Sequence, residues 1–140
     1  MIASLLAAAL IAAAPLPAPT APGGTLSLHF VNVKEAKGQI LVAIHDAASW
    51  ADGKPLRVAM VPVTGAGADL ELEGLAPGVY GIKAFHDADG DGKMGMNPFG
   101  MPTEQFGFSR DAIGARGAPA WADAAFEVTA AGAVQTITLR

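Results

Sequence analysis

The sequence has no cysteine, a single tyrosine and two tryptophans among its 140 residues. Without cysteine no disulfide can staple the fold, and a lipoprotein-type lipid anchor has no residue to carry it. Charge is sparse too: Asp, Glu, Lys and Arg make up 16% of the chain, and the formal net charge is −4. A mildly acidic chain has no electrostatic reason to bind nucleic acid or anionic lipid. Beyond residue 22 there is no helical period of useful length, no internal repeat, no long linker and no apolar run that could span a bilayer.

The unbroken apolar run that does exist lies at the start. Ile2 to Ala14 holds only Ala, Leu and Ile with one Ser, and small residues and prolines follow it. A bilayer span takes about 20 apolar residues, so this run is too short for one. It has the pattern of a secretory signal peptide over residues 1–22, although no Lys or Arg precedes it, with cleavage between Ala13 and Pro22. The expected location is periplasmic or secreted, with residues 23–140 as a single domain and no transmembrane span in the mature protein. A domain of that length buries roughly two thirds of its unfolded surface, which permits a sizeable core.

The mature part reads as all-β. Thr25 to Val33 and Gly38 to Asp46 are rich in β-branched and apolar residues and are separated by the polar Lys34 to Lys37. Paired as a hairpin with an even register sum, Leu26, Leu28, Phe30, Ile40, Val42 and Ile44 share one uniformly apolar face, which marks the core side. Asp46 to Pro55 reads as a loop with room for one helical turn, anchored by Trp50. Leu56 to Val63, Ala68 to Leu75 and Val79 to Asp87 read as further strands, with Leu70, Leu72 and Leu75 near one face and a Pro-Gly turn before Val79. Phe126 to Arg140 alternates in the manner of a closing hairpin. About seven short strands predict an antiparallel β-sandwich, immunoglobulin-like or prealbumin-like, with one long ordered loop.

That loop runs from Asp87 to about Trp121. It carries Phe99, Phe106, Phe108, Met94, Met96 and Met101, and ten glycines and prolines lie between Gly90 and Pro119. A connection longer than about 12–15 residues is uncommon, and one this apolar must pack on something. It is expected to be an ordered excursion over one end or face of the sandwich.

Within it, Phe85, His86 and Asp87 end a strand, and a polar loop with Asp89, Asp91 and Gly92 follows. Gly100, Pro102, Glu104, Phe106, Gly107, Phe108 and Ser109 then form a Gly-x-Pro-x-Glu-x-Phe-Gly-Phe-Ser pattern. This arrangement resembles a bacterial exported family, domain of unknown function 2141. The resemblance extends to Lys37 to Asp46 and to the C-terminal strands. It implies an exported single β-sandwich domain and no particular activity. Members of that family often have an acidic residue near position 95 and Leu at position 94, where this chain has Gly95 and Met94.

The aspartates set the main site reading. A 12-residue calcium loop supplies oxygens from positions 1, 3, 5, 7, 9 and 12, with Gly at 6. Counted from Asp87, the first three are Asp87, Asp89 and Asp91. Gly92 falls at 6, Lys93 offers a backbone carbonyl at 7, and Gly95 at 9 can act only through water. Position 12 is Pro98, which has no carboxylate, so another oxygen must complete the shell: Asn97, Asp111 or, best, Glu104. The expected ion is Ca²⁺, structural and weakly held, in the ~10⁻⁴–10⁻³ M range of extracellular modules. The alternative is turn chemistry, since Asp side chains bond local backbone and Gly supplies positive φ.

Three other constellations are readable. His29, His45 and His86 contain enough imidazoles for zinc. Met94, Met96 and Met101 with His86 suit copper(I), which would make this a metal-handling protein. His86, Ser109 and Asp111 contain the residue types of a hydrolytic triad, for a periplasmic hydrolase using His86 with Ser109 or a metal. Ser109 is followed two residues later by Asp111, where a nucleophile elbow needs Gly. The favoured expectation is a monomeric, non-enzymatic binding or structural module for an unknown envelope or extracellular ligand.

Overall fold

The computed structural model describes residues 23–115 and 117–140, so the expected signal peptide over 1–22 lies outside the described residues. Eight strands form, in two sheets that do not close into a barrel. They are β1 (Gly24–Val31), β2 (Gln39–His45), β3 (Arg57–Pro62), β4 (Ala68–Leu75), β5 (Gly78–Asp87), β6 (Phe106–Phe108), β7 (Phe126–Val128) and β8 (Ala133–Thr138). Two short helices, α1 (Ala47–Asp52) and α2 (Trp121–Ala124), and a 3₁₀ turn at Ser109–Asp111 complete the elements. Among the described residues no helix is long and apolar enough to cross a membrane.

The first sheet has the order β4-β1-β8 and the second β3-β2-β5-β6, with β7 paired to the start of β5. The apolar face expected of β1 and β2 is right in content. Leu26, Leu28, Phe30, Ile40, Val42 and Ile44 are all fully or almost fully buried. The expected hairpin between them does not form. β1 pairs with β4 and β8, and β2 pairs with β3 and β5, so the two strands belong to different sheets. A period of two fixes which side chains point inward, but both strands satisfy it equally well from two sheets that share a core.

The C-terminal hairpin is corrected in the same way. A tight turn at Thr129–Gly132 is present, yet β7 joins β5 while β8 lies beside β1. The β1–β8 pairing is parallel, from Leu26↔Ala133 to Val31↔Thr138, so the first sheet is mixed rather than antiparallel. Parallel neighbours need a long crossover, and here nearly the whole chain supplies it.

One apolar cluster draws on both sheets, with Leu28, Phe30, Val42, Ile82 and Ile137 at its centre. Leu72 and Leu75 both reach it because the β1–β4 register shifts by one residue between them, where Gly74 takes φ 75°. Gly tolerates that backbone, and the bulge returns Leu75 to the core side. Helix α1 starts with a capping box, Asp46 Oδ1 accepting from Ser49 N–H and Ser49 Oγ from Asp46 N–H. It carries Trp50 into a second cluster with Phe108, Ala112 and Ala124. That cluster lies on the outer side of the second sheet, because Phe108 pairs with Lys83, whose neighbours Ile82 and Ala84 face the core.

The described residues of the long excursion include a strand of their own. Residues 95–103 fold back on themselves, with Thr103 N–H bonded to Gly95 O and Asn97 N–H to Met101 O, both at 2.8 Å. The chain then returns as β6 along the edge of β5. Phe106 and Arg140 exchange both backbone hydrogen bonds (3.1 and 2.9 Å), which ties this edge to the end of β8.

Candidate functional site

Strand β5 ends at Asp87, opposite Gln39 in register, and the acidic loop begins there. Asp87 is fully buried. Its Oδ1 accepts from Gly90 N–H (3.0 Å) and Asp91 N–H (3.2 Å). Its Oδ2 accepts from Gly92 N–H (2.9 Å) and the Gln39 amide (3.3 Å). A carboxylate has about four lone-pair sites, so these four donors fill it. Gly90 and Gly92 take φ of 76° and 74°, the left-handed backbone that aims successive N–H groups at one point. Burial pushes the Asp87 carboxyl up, but hydrogen bonds led by Gly92 N–H outweigh it and hold it below the ordinary Asp value.

Asp89 and Asp91 stay exposed at the loop surface, and Glu104 arrives half-buried from the returning segment. Asp89 accepts from Asp91 N–H, Asp91 from Lys93 N–H and Glu104 from Gly95 N–H. The Asp91 N–H bond lowers the Asp89 carboxyl. Its contact with the Asp87 carboxylate, burial and the Asp91 charge outweigh that bond and raise it. One oxygen from each of Asp87, Asp89, Asp91 and Glu104 lies within 4.8 Å of the others. Carboxylate oxygens suit a hard cation, with waters or carbonyls needed to reach six to eight ligands. This cluster could bind a metal ion.

The Asn97 carboxamide oxygen accepts from Phe99 N–H (2.9 Å) and Met101 N–H (3.0 Å), which fills its two lone pairs. Asp111 is held elsewhere: its carboxylate accepts from Thr138 N–H (2.7 Å) and the Thr138 hydroxyl (2.9 Å) and pins the end of β8.

The structure disperses the other constellations. His29 is exposed and paired with Asp69 at 2.6 Å on the first sheet. His45 is buried, donating Nδ1–H to Ser49 O at 3.0 Å, and His86 donates Nε2–H to Lys37 O at 2.7 Å. His29 and His45 stand on different sheets, because β1 and β2 do not pair. Ser109 is completely buried; its Oγ accepts from Ile82 N–H (2.9 Å) and donates to Ala124 O. Ser109, His86 and Asp111 each bond different partners, and no hydrogen bond joins them among the described residues. Met96 and Met101 line one cavity of about 610 Å³ and Met94 lines another of about 550 Å³.

Two contributors were not visible in the sequence. Gln39 completes the Asp87 cage, and only the β2–β5 register reveals it. Gln105 is buried between three segments: its amide donates to Asn32 O and Leu139 O, its Oε1 accepts from Lys34 N–H, and its carbonyl accepts from His86 N–H. Its place beside Glu104 is the only signal it gave.

No curated protein and no solved structure matches the chain. A family described as an uncharacterized protein conserved in bacteria, DUF2141, matches residues 28–137, which run from within β1 to within β8 and include the Asp87–Glu104 loop. The chain belongs to the DUF2141 family.

Proposed function

We propose that the protein is an exported, non-enzymatic binding or structural module whose Asp87–Glu104 loop holds Ca²⁺ weakly. The observation that carries this reading is the meeting of Asp87, Asp89, Asp91 and Glu104 oxygens within 4.8 Å. Asp87 serves mainly as the buried post on which the loop is wound, since its lone pairs are taken by N–H donors. Asp89, Asp91 and Glu104 offer the accessible oxygens. Lys93 would contribute its carbonyl, and Asn97 shapes the neighbouring turn. The two sheets over one shared core support an immunoglobulin-like or prealbumin-like sandwich. The apolar run at Ile2 to Ala14 supports export to the periplasm or beyond.

Calcium at this loop would act structurally, by neutralising three carboxylates that otherwise repel. Thermal melting of residues 23–140 after chelation, with calcium titrated back to several millimolar, tests it. The expected result is a melting temperature that climbs with calcium. Linkage gives about 2.7 kcal/mol at a hundredfold excess over Kd. The climb should vanish in Asp89→Ala. A flat response at millimolar calcium would leave the aspartates as turn formers only.

A further inference from the structure

The outer face of the second sheet breaks the usual pattern of an antiparallel sheet with one buried face, whose other side is polar. One cross-strand row on that side runs Met60, Leu41, Phe85, Phe106. The next runs Val58, Ala43, Lys83, Phe108. Seven of these eight side chains are apolar, and the eighth is a lysine. Val58 and Met60 are each 59% exposed at the β3 edge, while Met94 of the acidic loop overhangs the opposite side. Between them lies a groove of about 550 Å³, within the ~300–1,000 Å³ range of small-molecule sites.

Lys83 is the charge in that groove. It is half-buried, its Nζ donates to Trp50 O at 3.1 Å, and it stands 4.6 Å from the centre of the Trp50 ring. Among the described residues no carboxylate lies within 4.0 Å of it. Burying an ammonium among apolar walls without an anion is unfavourable, and desolvation pushes the Lys83 amine below its ordinary range. The neighbouring His45 supplies no counter-ion either, because an imidazole is neutral or cationic.

We propose that this groove takes a soluble amphiphile with an apolar body of medium-chain length and one carboxylate, which meets the Lys83 ammonium. The apolar rows hold the body and the unpaired cation selects the charge. This assignment does not depend on calcium at the neighbouring loop.

Decanoate is a suitable probe, with decanol as its uncharged match, both below the concentrations at which they self-associate. Titration into the ¹⁵N-labelled full chain should shift the amides of Leu41, Ala43, Lys83 and Phe85. Decanoate should bind at least tenfold more tightly than decanol. Lys83→Met keeps an apolar stem and should erase that difference while leaving decanol unchanged. Val58→Glu sits at an exposed edge that tolerates substitution, and should weaken decanoate at least tenfold with a native spectrum. Equal binding of decanoate and decanol to the unmodified chain would overturn the proposal, as would shifts confined to other surfaces or no binding. Binding that appears only after residues 1–22 are removed would make that segment the occupant and overturn it too. So would a dimer by sedimentation that buries the same amides and excludes decanoate.

Discussion

At the scale of single residues, two aspartates two positions apart have opposite roles. Asp87 is buried and accepts four hydrogen bonds, so its ionised form organises the loop. Asp89 is exposed and its carboxyl is raised by the neighbouring carboxylates, a repulsion that a bound cation would relieve. Without calcium, Asp87→Ala should lower the melting temperature by roughly 5–10 °C, because three backbone N–H groups lose a charged acceptor. Asp89→Ala should melt at or above the parent temperature under the same conditions and lose the calcium response. Equal losses in both variants would contradict the division of labour. His45 gives a separate prediction. Burial and the nearby Lys83 charge lower its pKa from 6.5, against smaller opposing effects of Ser49 O, Asp52 and Asp46. The unfolded chain therefore takes up a proton before the folded one does. Stability from this residue is complete above pH 6.5 and falls as the pH drops from there through the folded value. Melting temperatures of Asp89→Ala, which lacks the raised Asp89 carboxyl, should slope downward from pH 7 to about 5, above the ordinary carboxylate range. They should flatten when His45→Phe is added.

At the scale of elements, the legible part of the fold is the part governed by local period. The period of two marks Leu26, Leu28, Phe30, Ile40, Val42 and Ile44 as inward, and all six are in the core, although on two sheets rather than on one shared face. What period two cannot encode is the neighbour, so both hairpins assigned to adjacent strands dissolved into pairings across sheets. Strand β6 was hidden because its three residues lie inside a Gly- and Pro-rich loop with no alternating segment beside them. Its position is set by the corner that follows. Arg110 and Asp111 both take positive φ (57° and 52°), a costly backbone for non-glycine residues. The corner is held by Ser109 Oγ between Ile82 N–H and Ala124 O, by Asp111 on Thr138, and by Arg110 Nη1 on Ala122 O. Ser109→Ala would leave a buried N–H and a buried carbonyl unpaired, and should cost about 2–3 kcal/mol in denaturant unfolding. A loss under 0.5 kcal/mol would mean the corner does not depend on this hydroxyl.

At the scale of the whole molecule, the acidic site was legible and the groove was not, for one physical reason. Asp87, Asp89 and Asp91 lie within five residues, so their convergence is local. Lys83 and its apolar neighbours come from four strands, and only the register aligns them. The same register joins two apolar clusters through one sheet. Strand β5 gives Ile82 and Ala84 to the core that both sheets share, and Lys83 to the outer side where Trp50 and Phe108 pack. Gly81 lies against both tryptophans, with no room for a Cβ beside Trp50 or Trp121 (2.8 Å). Trp50 and Trp121 thus report on the outer cluster, whereas far-ultraviolet circular dichroism reports on all eight strands. Because β5 cannot leave one cluster without leaving the other, the two signals should trace one transition with a common midpoint. A tryptophan transition that precedes loss of the strands would show that the outer cluster, with α1 and α2, melts as a unit of its own. The Lys83 groove would then lose one wall while the sheets remained intact.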